Sequence, residues 1–72
     1  MEQLKERLWK LRKKAHLLQE DLADKMGVTK FKIAEWEGGQ ANPDILDIIK
    51  LSRIYGVTTD YILLGIETEE KQ

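Results

Sequence analysis

Cysteine is absent from this chain, and histidine, serine and proline occur once each. Without thiols there is no disulfide and no thiolate-bound metal, and His16 alone cannot complete a zinc site. A helix-end role is expected for His16 instead. Ser52 falls on the inward side of an amphipathic segment, where a hydroxyl serves a backbone carbonyl rather than a substrate. No nucleophile, base and orienting group come together, so the sequence points away from an enzyme and calls for no cofactor and no metal. Long apolar runs are missing too. No segment approaches the roughly 20 residues of a membrane span, and the opening MEQLKERLWK breaks any signal-peptide core with charge. These absences lead us to expect a soluble cytoplasmic protein with no membrane partner.

What is present is a small globular composition. The 72 residues are 42% hydrophobic and 35% charged, near the lower size at which a domain folds unaided. A net charge of −1 hides an asymmetry. Residues 1–32 carry nine Lys and Arg against five Asp and Glu, whereas residues 33–72 carry three against eight. A basic half beside an acidic half suits a chain that meets an anionic partner through one face. Charge that only solvates helix faces would give the same composition.

Apolar residues recur at helical spacing almost throughout, and nothing alternates with period two. Leu4, Leu8, Leu11 and Ala15 form one stripe, predicting a first helix over residues 3–15. The second, Gln19 to Met26, buries Leu22, Ala23 and Met26 and stops at Gly27. Thr29 caps a third that runs to Glu37 and halts at Gly38-Gly39. Asp44 caps a fourth to Tyr55, with Ile45, Ile48, Ile49, Ser52 and Tyr55 inward, and Thr58 caps a fifth over Thr59 to Leu64. The expected architecture is all-α, a five-helix bundle over residues 1–66 with a polar tail at 67–72.

On a helical wheel the third helix buries Ile33 and Trp36, with Glu37 at the flank. Lys30, Phe31, Ala34 and Glu35 cluster on the opposite face, and Lys32 stands to the side. A phenylalanine between two lysines is poor chemistry for a solvated surface and good chemistry for a surface that meets something. Trp9 falls off the stripe of the first helix and is expected to be largely exposed, lying over neighbouring side chains. Arg7, Lys10 and Lys14 form a basic strip on that helix.

The run LQEDLADKMGVTKFKIAEWEGG, followed by NPDILDIIKLSRIYGVTTDYILLG, resembles the helix-turn-helix domain of phage repressors and Cro proteins, the XRE-type transcriptional regulators. The likeness spans residues 4–65. It is carried by Gln19 at the head of the second helix, Leu22-Ala23 in its middle, the turn Gly27-Val28-Thr29, the Ile33–Trp36–Glu37 face and Asn42-Pro43. The resemblance implies a lambda-repressor-like DNA-binding domain, usually a homodimer. Its third helix would enter the major groove of double-stranded DNA while the second crosses the backbone. It also implies that Arg12 and Glu37, each at the edge of a buried face, form a structural ion pair. The chain departs from the family pattern at Leu18, where Ser or Thr usually caps the second helix, and at His16, where Gly is common.

Within that frame Lys30 suits guanine O6 and N7, Phe31 and Ala34 suit the thymine methyl, and Glu35 suits cytosine N4. Gln19, Thr29 and Lys32 are the candidate phosphate contacts. Apolar residues left over on the last two helices, Leu46, Ile54, Tyr61 and Leu64, are the candidate dimer interface. The competing reading is a protein-interaction module on the same scaffold, an antitoxin or anti-repressor component. The acidic balance of the chain and the cation-free loop after the third helix keep this reading open, and Glu20, Asp21 and Asp24 place negative charge near the proposed backbone contact.

Overall fold

Each of five short helices ends on a residue with positive φ, and this punctuation lets so short a chain turn back on itself four times. The computed structural model describes residues 2–66. It contains α1 (Leu4–Lys14), α2 (Gln19–Met26), α3 (Lys30–Gly38), α4 (Ile45–Tyr55) and α5 (Thr59–Leu64). The ends differ from the sequence expectation by a single residue at both ends of α1 and at the end of α3, as fraying helix termini do. The predicted tail at 67–72 lies outside the described residues. No helix among those residues is long and apolar enough to cross a membrane.

The helix starts are fixed by side chains chosen for the purpose. Thr29 Oγ1 accepts from the Lys32 amide at 3.2 Å, and Thr58 Oγ1 from the Tyr61 amide at 2.9 Å. Asp44 and Asp47 cap α4 reciprocally, each carboxylate taking the other's amide at 2.9 and 3.0 Å. The Asp47 amide is the largest influence holding the Asp44 carboxyl below its usual range. At α2, where Leu18 has no oxygen to offer, Asp21 reaches back to the Leu18 amide at 2.9 Å. That bond supplies the return half of a capping box and places a carboxylate at the positive end of the helix dipole.

Between these termini the apolar faces meet in one core. Leu8 and Leu11 of α1, Leu22, Ala23 and Met26 of α2, Ile33 and Trp36 of α3, Ile48 and Leu51 of α4 and Ile62 of α5 are buried together. Helices α2 and α3 pack across the turn at Gly27, whose φ of 74° is open to glycine without a side-chain penalty. Helix α1 lies against α3 and α5, and α4 against α2 and α5. The Lys50 ammonium donates to the Met26 carbonyl at 3.0 Å, tying α4 to the end of α2.

Three expectations about burial are corrected here. On α4 the expected inward set holds at Ile48, which is buried, and at Ile49, Ser52 and Tyr55, which are partly buried; Leu51 joins it at 1% exposed, while Ile45 in the first turn is 77% exposed. Apolar residues occupy more than half of its circumference, so periodicity alone leaves several buried stripes open. The position of α2 and α5 selects one of them. Ala15, one residue beyond the end of α1 at Lys14, is exposed rather than buried with the stripe. Arg7 does not belong to a solvated basic strip. It is 4% exposed, and its Nε donates to the Ile62 carbonyl at 2.8 Å and its Nη2 to the Leu63 carbonyl at 3.1 Å. Its Nη1 reaches Glu2 at 3.2 Å. A cation at the negative end of α5 satisfies carbonyls that have no amide partner within the helix. A Cβ at Gly65 would stand 2.8 Å from Arg7 Nη1, so that glycine leaves room for the guanidinium as well as turning the chain.

His16 occupies the position after α1 that glycine takes in the other four, with a φ of 60°. Its amide bonds the Lys13 carbonyl at 3.0 Å and the Leu17 amide bonds the Arg12 carbonyl at 3.2 Å, a Schellman closure that needs the left-handed conformation. A side chain there is strained by roughly 1–2 kcal/mol, part of which returns as lost chain entropy when glycine replaces it. His16→Gly is therefore expected to stabilise the domain by about 1 kcal/mol, raising the midpoint of thermal unfolding by roughly 4–8 °C. An unchanged or lower midpoint would place the strain elsewhere.

Candidate nucleic-acid interface

The polar side-chain contacts that hold α3 to the other helices converge on Glu37. Arg12 Nε and Nη2 donate to the two oxygens of Glu37 at 2.7 and 2.9 Å, a fork-on-fork pair whose side chains are 8% and 6% exposed. The third guanidinium nitrogen, Nη1, donates to the Leu17 carbonyl at 2.8 Å. These bonds hold the Arg12 guanidinium above its usual pKa, the Glu37 hydrogen bond being the largest cause. Tyr55 packs near the pair, with a buried hydroxyl that has no hydrogen-bond partner among the described residues. Burial first, and the Glu37 charge second, push that phenol up to about 12, so it remains neutral.

With Glu37 clamped from α1, and Ile33 and Trp36 buried at 0% and 2% exposure, the other side of α3 must face outward. Lys30, Phe31 and Glu35 are exposed there and Ala34 is partly so. Phe31, at 69% exposure, is one of the barest large apolar side chains on the molecule. The Lys30 ammonium lies 5.7 Å from the centre of its ring, a cation–π arrangement that groups charge and apolar surface into one feature. Glu35 forms no ion pair among the described residues, with Lys32 or any other cation. Lys32 is exposed beside this face, close enough to the α4 cap to help lower the Asp44 pKa.

The three side chains assigned to phosphate are differently engaged. Lys32 is exposed. Thr29 uses its oxygen lone pair as the α3 cap and keeps its hydroxyl proton for another acceptor. Gln19 is only partly exposed, and its Nε2 donates to Glu37 Oε1 at 3.2 Å. The sequence reading missed that link because Gln19 and Glu37 lie on different helices.

The candidate dimer residues divide. Leu46 and Leu64 are 72% and 63% exposed, whereas Ile54 and Tyr61 pack against the domain's own core. Ile54 joins the inner side of α4, and Ile45 lies beside Leu46 in the open. Leu63 and Ile66 accompany Leu64 at the end of α5. Trp9 is half exposed, with the Lys13 ammonium 5.7 Å from its ring centre.

Two helices joined through Gly27, the second anchored inward by Ile33, Trp36 and Glu37 and bare on its outer side, make a helix-turn-helix. The helix-turn-helix family model matches residues 10–62, and the chain belongs to this family, whose XRE-type members include the phage repressors. It is 41% identical over 66 residues to the HTH-type transcriptional regulator YqaE of Bacillus subtilis, covering 92% of this chain and 56% of that protein. It is 39% identical over 64 residues to the SPbeta prophage-derived regulator YonR of the same organism, covering 89% and 59%. The chain thus spans little more than half the length of these relatives. Among solved structures, the P22 c2 repressor in complex with a synthetic operator superposes with a TM-score of 0.86 at 29% identity, covering 92% of this chain and all of that one.

Removing one partner of the buried pair strands a charge. Arg12→Ala is expected to cost about 3–5 kcal/mol, most of the stability of so small a domain. Replacing both residues together, Arg12→Met with Glu37→Leu, should be much milder, because no charge is left behind. Urea unfolding of the two variants checks this; equal losses would mean that the pair's charge does not matter to the fold.

Proposed function

We propose that this domain is a sequence-specific DNA-binding transcriptional regulator, acting as a repressor, that reads the major groove with α3. One observation carries the reading: Lys30, Phe31, Ala34 and Glu35 form an outward face on a helix whose other side is fully committed to the core. A groove about 12 Å wide admits a single helix, and the N-terminal residues of a recognition helix contact base edges. Lys30 is matched to guanine O6 and N7, Phe31 and Ala34 to the thymine methyl, and Glu35 to cytosine N4. Lys32, the Thr29 hydroxyl and Gln19 at the head of α2 take phosphate oxygens. The overall net charge of −1 is no obstacle, because only one face approaches the DNA.

Lys30 and Lys32, two residues apart, are thereby given different work. Lys30→Ala is expected to relax preference at one base position, at a cost of about 1–3 kcal/mol against the preferred base. Lys32→Ala should weaken all sequences alike and reduce the slope of affinity against salt by about one unit. Binding of both variants to a set of duplexes differing by single base pairs separates the two outcomes. If base preference in both matches the parent, α3 is not the reader, and the protein-interaction alternative takes precedence.

The domain acts, on this reading, as a homodimer over half-sites roughly 34–36 Å apart. The exposed pairs Ile45-Leu46 and Leu63-Leu64, with Ile66, are apolar surface that a second copy would cover. Sedimentation in the presence of a two-half-site duplex should show two chains per duplex, and Leu46→Glu should reduce this to one. A single chain per duplex for the parent would contradict dimeric binding.

A further inference from the structure

The link between Gln19 and Glu37 assigns the ion pair a second task. We infer that Glu37 is a positioning residue for the phosphate contact made from the head of α2: it holds the Gln19 amide in the orientation that meets DNA. This rests on the reading of α2 and α3 as the DNA-facing pair.

The chemistry of the donor set fixes the direction. Glu37 is clamped by two hydrogen bonds from Arg12 at 2.7 and 2.9 Å, so its carboxylate has one orientation. An ionised carboxylate only accepts, which requires the nitrogen end of the Gln19 amide to face it, as it does at 3.2 Å. One amide N–H is then taken by Glu37. The other N–H and the Oε1 atom remain for groups outside the protein. Gln19 is also the first residue of α2, where backbone amides have no partner within the helix, so its free N–H and those amides serve the same anion.

Two consequences distinguish this from an ion pair that merely stabilises the fold. A long side chain normally loses rotamer freedom on binding; here that freedom is already lost in the free protein, which favours association. The contact also joins the last turn of α3 to the first residue of α2. The helix that crosses the backbone and the helix that enters the groove therefore share one rigid anchor, Glu37. A small displacement of Glu37 would move both contacts together.

The test is a double-mutant cycle read on DNA affinity, using a duplex enriched from a random library by the parent protein. Gln19→Ala in the parent is expected to weaken binding about three- to ten-fold, the range of one lost hydrogen bond. In the Arg12→Met, Glu37→Leu background the same substitution should change affinity less than two-fold, because the amide is no longer held. Equal factors in the two backgrounds, or no effect in the parent, would overturn the inference. A parent that enriches no duplex would instead sink the DNA-binding reading itself. A second measurement needs no variant: in the free parent, the Gln19 side-chain amide protons should exchange with water more slowly than those of exposed Gln40. Matching rates would show that Glu37 does not hold the amide, whatever the mutants do.

Discussion

The buried pair between Arg12 and Glu37 decides where α3 sits. Removing two charges from water costs several kcal/mol each, and their attraction repays this only with good geometry and satisfied remaining donors. Both conditions hold: the pair is bidentate, the spare guanidinium nitrogen finds the Leu17 carbonyl, and Gln19 takes one carboxylate oxygen a second time. Such a contact adds little net stability against a well-packed apolar substitute, but it tolerates few alternative arrangements. An apolar interface between α1 and α3 would slide or rotate at modest cost, whereas a fork-on-fork contact fixes the register of one helix against the other. The outer face of α3 inherits that register.

The rest of the architecture follows from having helices too short to stand alone. Six to eleven residues form no lasting helix in water, so each element depends on its caps and on its share of the core. Capping side chains close the N-termini, left-handed residues close the C-termini, and Arg7 and Lys50 reach across the fold to carbonyls at the ends of α5 and α2. Basic residues that look like candidates for a polyanion are thereby partly consumed in holding the fold. The cations left near α3 are few, and the Lys30–Phe31 feature joins one of them to an apolar side chain. On the proposed reading, such a surface would favour discrimination among base edges over strong nonspecific attraction to phosphate.

Much of this was readable in the chain itself. Local chemistry marks the helix boundaries: Thr29, Asp44 and Thr58 at the starts and four glycines at the ends need no tertiary information. The division of α3 into an inner and an outer face was equally plain, because Ile33 and Trp36 are its only large apolar residues on one side. Helix α4 was different. With apolar residues over most of its surface, it offers several possible stripes, and the choice of Leu51 over Ile45 is made by neighbours the sequence does not announce. Arg7 was opaque for a related reason. A lone arginine beside Lys10 on a wheel looks solvated, and only the arrival of α5, 55 residues later, turns it into a buried cap. Ile54 and Tyr61 followed α4 and α5 into the core, which moved the exposed apolar surface to Ile45 and Leu63.

The most direct test of the account is to map where DNA touches the protein. Amide resonances of the labelled domain, titrated with a duplex enriched from a random library, should shift most over Lys30 to Glu35 and at the head of α2 around Gln19. Residues Trp9 to Lys13 on α1 should be nearly unmoved. Shifts confined to α1, or to the apolar turn at Ile45 and Leu46, would contradict the claim that the face set by Arg12 and Glu37 is the one that reads DNA.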